Sequence, residues 1–232
     1  MDPRFLKVAR DYREALRQKN ALLRQGRRGG VQASPALLAT WNERLAASGS
    51  LVVAHRVRFL EEFAPIFREV HEGITDAAKG RAEIKYRSCV SGDAVAGGRS
   101  SIEKEMLERT EQLMNDELRR GFATWGPHRD DWHLSVGGQL LRRFGSQGQV
   151  RSAALSLRVA QMVLARRNLG ICPIFLLDDV SSELDPKRNR QLMSLLEDLD
   201  AQVLITTTEL ANVHLENAQY DALRVVKGTI SS

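Results

Sequence analysis

The segment Ile174-Phe175-Leu176-Leu177-Asp178-Asp179 constrains this chain more than any other. Four apolar residues in a row read as a strand buried on both faces of a sheet. Two carboxylates at its C-terminal end stand where open α/β sheets place their ligands. Burying a carboxylate is unfavourable unless a partner offsets it. A magnesium ion held by nucleotide phosphates is a suitable partner, because it takes hard oxygen ligands and keeps several waters. Asp178 would then face the metal, directly or through water, and Asp179 would orient the attacking water. The other reading is that the pair only caps the following turn. The segment alone supports both equally.

The residues around it alternate strand and helix. From Gly121 onward the pattern gives a strand at 133–136, an Ala-rich helix over 150–168, the strand at 173–178 and a helix from Asp185-Pro186 to Leu199. Strands at 202–206 and 223–226 follow, the last ending at Lys227-Gly228. That order predicts an α/β fold with a mostly parallel sheet. The first half reads differently. Apolar residues spaced by three and four predict a helix from Phe5 to Gly26. Ser34-Pro35 then opens a second, long helix that Pro65 kinks or restarts. Alternation over 82–88 gives a short strand, 91–98 reads as a Gly-rich loop, and Ser100 with Glu103 resembles a capping box opening a helix. The chain thus divides into a helical arm, 1–120 with a short strand near 82–90, and an α/β part, 121–232.

A second chemical signal is Gly145-Ser146-Gln147-Gly148-Gln149, just before the Ala-rich helix. A serine at a helix start satisfies orphan N–H groups, and the same geometry can hold a phosphate. Gly148 would let the backbone approach closely. Asp185, ahead of Pro186, is a natural N-cap. Arg24, Arg27 and Arg28 cluster at the end of the first helix, Arg142 and Arg143 precede Ser146, and Arg166 and Arg167 end its helix. Such residues read as solvated charge near helix ends, or as contacts to DNA phosphates. Arg129 and His128 face DNA or nucleotide, or lie in a turn with exposed charges. His55 and His71 read as surface or boundary residues, and Trp41, Phe59, Phe63 and Phe67 as helix-packing core.

Composition narrows the class. The 232 residues are 43% hydrophobic and 27% charged, close to a globular average, so wholesale disorder is excluded. No run approaches the roughly 20 apolar residues of a membrane span, and MDPRFLKVAR carries no apolar signal region. Cys89 and Cys172 fit no metal spacing, which is the pattern of a reduced cytoplasmic protein. The net charge of +5 permits an anionic partner without demanding one.

Four segments in order carry a family resemblance: TWGPHRDD (124–131), GSQGQVRSAALSLRVAQ (145–161), FLLDDVSSELD (175–185) and VLITTTE (203–209). Together they resemble the C-terminal part of the RecF family, ABC-type ATPases of bacterial DNA replication and repair related to chromosome-structuring proteins. The stretch from Asp2 to Leu23 resembles the start of that family's helical domain. The resemblance implies a helical arm followed by the C-terminal lobe of an ABC-type ATPase head. It implies ATP and Mg2+ as cofactors, with Asp178 as the Walker B aspartate on magnesium and Asp179 at the catalytic carboxylate. Ser146, Gln147, Gly148 and Gln149 would form the signature that contacts ATP bound to the partner protomer. Ser182 and Asp185 fall in the loop that crosses the dimer interface. Thr206, Thr207 and Thr208 stand at the switch position, with Thr207 taken as the switch residue; the alternative is a polar strand end.

By the same resemblance the intact protein is an ATP-sandwiched homodimer on single-stranded or gapped duplex DNA. It acts in recombinational repair and replication restart, SOS-linked, with RecO and RecR. One departure stands out. No G-x-x-x-x-G-K-[ST] loop occurs in the sequence. The chain therefore resembles a RecF without its N-terminal lobe: a fragment, a truncated gene model, or a split protein completed by a separate chain carrying Walker A. The chain alone is expected to bind ATP weakly or not at all. The alternative is a non-catalytic DNA-binding or protein-interaction module. A coiled-coil chromosome-structuring ATPase fits less well, because the arm is short.

Overall fold

Helix α1 (Pro3–Arg27) ends one residue past Gly26, and α2 (Pro35–Ile74) starts at Pro35, as the Ser34-Pro35 signal predicts. In the computed structural model, residues 3–27, 34–75, 80–178, 185–199, 201–210, 213 and 219–231 are described. Helix α2 runs unbroken through Pro65, where a kink or restart is expected from sequence. Proline removes one backbone donor there. The buried side chains of Phe63, Ile66 and Phe67 on either side keep the helix packed through it. Phe59 departs from its predicted core role: it is 41% exposed.

The chain divides into two units, one of residues 1–62 and 84–133, the other of 63–83 and 134–232. The divisions fall inside α2, β1 (Ala82–Arg87) and β2 (Asp131–Val136). The first unit holds α1, α3 (Gly92–Ala96), α4 (Arg99–Gln112) and α5 (Met114–Arg120). Its core has three patches. Ala46 and Val53 of α2 meet Val90, Ala94, Ile102 and Met106. Tyr12 and Ala15 of α1 meet Leu45 and Val52. Leu23 meets Leu38, with Met114 and Leu118 against them. Two local expectations change here. The segment 91–98 is not only a loop, because Ser91 caps α3 by accepting from the Ala94 N–H at 3.1 Å. Helix α4 begins after Gly98 at φ 79 with no side-chain cap, so Ser100 and Glu103 form no capping box. The positive φ of Gly98 ends the preceding turn and starts the helix two residues early.

The second unit carries β3 (Gln139–Leu140), α6 (Leu141–Phe144), α7 (Gln147–Leu169), β4 (Phe175–Asp178), α8 (Pro186–Asp198), β5 (Val203–Thr206), β6 (Arg224–Val226) and β7 (Thr229–Ser231). Strands β4 and β5 pair in parallel, Phe175 opposite Val203 and Asp178 opposite Thr206. This is the α/β arrangement the strand–helix alternation predicts. Antiparallel pairs add to it: β2 with β3, and β6 with β7. The β6–β7 hairpin turns at Lys227 (φ 47) and Gly228 (φ 81), so the strand expected to be the last ends there as predicted and a further strand, β7, follows it.

Strand β4 corrects another expectation. Phe175 and Leu177 are buried, but Ile174 is exposed and Leu176 is 70% exposed. Among the described residues β4 pairs with β5 alone, and Leu204 on β5 is exposed as well. One face of the pair is therefore apolar and uncovered. A run of apolar residues predicts two buried faces only where both faces have something to pack against.

Candidate functional site

Helix α7 opens on a complete capping box. The Ser146 hydroxyl accepts from the Gln149 N–H at 3.3 Å, and the Gln149 side-chain oxygen accepts from the Ser146 N–H at 2.9 Å. Both reciprocal bonds follow from local chemistry, serine at the N-cap and glutamine three residues on. Ser146 and Gln147 are exposed, so the helix start faces solvent with the Ser146 O–H still able to donate. The glycines differ in role. A Cβ at Gly145 would lie 2.6 Å from the Leu141 carbonyl oxygen, so the backbone itself demands glycine there. At Gly148 the close neighbour is the Arg188 guanidinium, 3.3 Å from the site of a Cβ.

Asp178 is the last residue of β4 and is exposed. The parallel register sets it beside Thr206, whose hydroxyl donates to its carboxylate. Thr207, taken from sequence as the switch residue, turns to its own loop. Its hydroxyl donates to the Glu209 carbonyl at 2.9 Å and accepts from the Glu209 N–H at 3.2 Å. Thr206, not Thr207, is thus the threonine at Asp178. A cleft of about 690 Å³ runs along β4, mostly apolar, with Arg158 and Asp178 as its charged members. Asp185 caps α8 as predicted, accepting from the Arg188 N–H at 3.1 Å. Asp179 and Ser182 lie outside the described residues.

A carboxylate and a hydroxyl at the end of a strand fit a magnesium ion whose other ligands are phosphate oxygens and water. They do not make an all-protein cage, and no cluster of three or more His, Cys, Asp or Glu that could hold a metal occurs among the described residues.

Sequence reasoning placed no role on His71, and the structure gives it one. It is buried rather than on the surface, because it lies against α7. The Ser156 hydroxyl donates to the Ser152 carbonyl at 2.7 Å, so His71 Nδ1–H donates to Ser156 Oγ at 3.1 Å. Burial lowers the His71 pKa, Arg188 adds to that, and Glu72 opposes it.

In the first unit the GPHRDD segment is largely interior. Pro127–Arg129 form a turn of 3-10 helix. The His128 Nε2–H points to the Ala123 carbonyl at 3.4 Å, which leaves Nδ1 to accept from the Tyr12 O–H at 2.8 Å. The Asp130 side chain is 1% exposed. It accepts from the Tyr86 hydroxyl, from the Cys89 N–H at 2.7 Å and from Arg56 at 3.3 Å. Arg56 also donates to the Pro127 carbonyl at 2.6 Å. Burial, with Asp130 adding to it, pushes the Cys89 thiol pKa well up. Arg129 and Asp131 are the exposed members of the segment. Arg24 is exposed on α1, Arg27 is the last residue of that helix, and Arg28 lies outside the described residues. Arg142 and Arg143 are exposed, whereas Arg166 donates to the Leu199 carbonyl and so serves packing.

No helix among the described residues is long and apolar enough to cross a membrane. No family model matches the chain. Curated relatives do. It is 36% identical over 228 residues to the DNA replication and repair protein RecF of Geobacter sulfurreducens, covering 98% of this chain and 60% of that protein. It is 37% identical over 219 residues to RecF of Chloroflexus aurantiacus, covering 91% and 54%. Among solved structures, the recombination mediator protein RecF-ATPrS in the RecFOR pathway superposes with a TM-score of 0.80 at 25% identity, over 99% of this chain and 58% of that one. The chain thus spans little more than half the length of the relatives it matches. With four motifs in order and a fold shared along nearly its whole length, the chain is similar to RecF proteins over part of their length.

Proposed function

We propose that this chain supplies the helical arm and the C-terminal head lobe of a RecF-type, ATP-dependent DNA-binding protein of recombinational repair and replication restart. The observation that carries the reading is the pairing of Asp178 with Thr206 at the end of a parallel strand, in the same unit as a solvent-facing helix start capped by Ser146. RecF relatives, one of them solved as RecF-ATP, support nucleotide as the ligand.

In this reading Asp178 holds magnesium, directly or through water, and Thr206 orients its carboxylate. The metal would supply charge neutralisation at the β- and γ-phosphates. Asp179 orients the attacking water. Ser146, Gln147, Gly148 and Gln149 face ATP bound to the partner protomer: the Ser146 hydroxyl keeps its capping bond while its proton turns to a phosphate oxygen. Ser182 and Asp185 lie at the dimer crossing. Thr207 shapes the loop after β5. Arg24, Arg27, Arg28 and Arg129 track DNA phosphates without reading bases. RecO and RecR are the proposed protein partners, in the cytoplasm during the SOS response. Turnover is the test. A RecF-length protein carrying this sequence hydrolyses ATP with magnesium, and Asp178→Asn abolishes that. Turnover that survives Asp178→Asn refutes the assignment.

One observation favours a second reading for the chain by itself, a non-catalytic interaction module. The face of β4 and β5 that carries Leu176 and Leu204 is apolar and exposed. Such a face is suited to a protein partner, including a separate chain carrying Walker A. Magnesium-dependent ATP hydrolysis by the purified 232-residue chain would exclude this reading.

A further inference from the structure

Helix α1 carries eight basic and two acidic residues, a net charge of +6, while the whole chain carries +5. The rest of the chain therefore nets −1, and the entire positive excess sits on one helix. One of the eight cations, Lys19, is buried against Glu117. Of the others, Lys7, Arg10, Arg13, Arg17 and Arg24 are exposed. Tyr12, Ala15 and Leu23 hold the opposite side of α1 in the core, so these five cations face outward. At 1.5 Å of rise per residue they form a line about 26 Å long.

An ordinary solvated helix face differs, and α4 in the same unit shows how. There Arg99 pairs with Glu103 at 3.7 Å and Lys104 with Glu108 at 4.0 Å. On α1, Arg17 pairs with Glu14 at 2.7 Å, but Lys7, Arg10, Arg13 and Arg24 form no ion pair among the described residues. Like charges three and four residues apart destabilise a helix, and a line of anions along the same face would offset that repulsion. Four of the five cations are arginine, whose planar fork matches a phosphate better than a lysine's point charge does. Protein partners are held by apolar and aromatic anchors. No large apolar side chain is exposed on α1 between Lys7 and Arg24. The face suits a regular polyanion better than a protein surface.

We propose that the outward face of α1 is a track for the DNA backbone, in which Lys7, Arg10, Arg13, Arg17 and Arg24 contact a run of phosphates without reading bases. This rests on the reading of the chain as part of a DNA-binding protein. It extends the contact from the C-terminal end of α1 along most of the helix.

The salt dependence of binding to a labelled duplex of mixed sequence tests the track in the 232-residue chain. Arg10→Gln with Arg13→Gln removes two contacts, so the slope of log K against log salt should fall by about 1.8, at about 0.9 per phosphate. Arg99→Gln with Lys104→Gln removes the same charge from α4 and should leave the slope unchanged. All four side chains are exposed, so neither variant should lose the fold. An unchanged slope in the α1 variant, or an equal fall in the α4 variant, overturns the track. Tighter binding of polyglutamate than of DNA overturns it in favour of an acidic protein. Absence of DNA binding by the 232-residue chain overturns it as well. If the RecF-length protein also binds no DNA, the DNA-binding reading itself has failed.

Discussion

Lys19 and Glu117 form an ion pair of 2.6 Å with the two side chains 2% and 0% exposed. Glu117 also accepts from the Thr124 N–H at 2.7 Å, and next to Lys19 the Asn20 side chain accepts from the Ala123 N–H at 2.7 Å. The pair and its neighbour Asn20 therefore tie α1 to α5 and to Ala123 and Thr124, just ahead of the GPHRDD segment. Removing one partner strands a buried charge. Lys19→Met or Glu117→Gln is expected to destabilise the first unit by about 3–5 kcal/mol, read from urea denaturation. Replacing both with apolar residues should recover part of that loss, and equal losses in single and double variants would contradict the pairing.

The contrast between Thr206 and Thr207 is open to test in the RecF-length protein. Thr206→Val removes the donor to Asp178 and should lower magnesium-dependent turnover, whereas Thr207→Val should disturb the loop at Glu209 and act less on turnover. The opposite ranking would move the switch role back to Thr207.

Capping and ligand contact at Ser146 separate by choice of substitution. Ser146→Ala loses the acceptor for the Gln149 N–H and should cost about 1 kcal/mol of stability. Ser146→Asn retains a cap and should restore most of it in thermal unfolding. If the capping-competent variant still lowers ATP-driven dimerisation, the hydroxyl itself matters.

His71 and His128 make stability depend on pH. Burial is the largest cause in each, and holds both below the ordinary value of 6.5. In the unfolded chain the imidazoles take protons near that pH, while in the folded chain they resist. The unfolded state then binds more protons, so stability falls as pH drops through about 6.5 toward the folded values. Urea midpoints between pH 7.5 and 5.5 should decline, and His71→Gln should flatten the decline. An unchanged slope in His71→Gln would remove His71 from the account.

DNA binding should weaken steeply with salt if arginines contact phosphates. Arg24→Ala and Arg129→Ala should each reduce the slope of log K against log salt by about one contact. A flat response would place these arginines among ordinary solvated charges.

Much of the second unit was legible because its signals are local. Asp185-Pro186 and Ser146 with Gln149 carry their own hydrogen-bond chemistry within four residues, and the structure returns both caps. The order of four motifs likewise needs no contact map. What sequence did not reveal depends on residues distant along the chain. Asp130 reads as an exposed charge until Tyr86, Cys89 and Arg56 converge on it. His71 reads as a surface residue until Ser156, 85 positions away, is beside it. The uncovered side of β4 was misread for the same reason, since an apolar run says what a strand could bury and not what is present to bury it.

That uncovered side governs how the isolated chain behaves in solution. Ile174, just before β4, and Leu176 and Leu204 on the β4–β5 pair present exposed apolar surface, and contiguous apolar patches favour association with other chains. Copies of the purified chain will meet through this face as concentration rises. Its melting temperature will then shift with dilution, and any midpoint measured on it describes an association equilibrium as much as a fold.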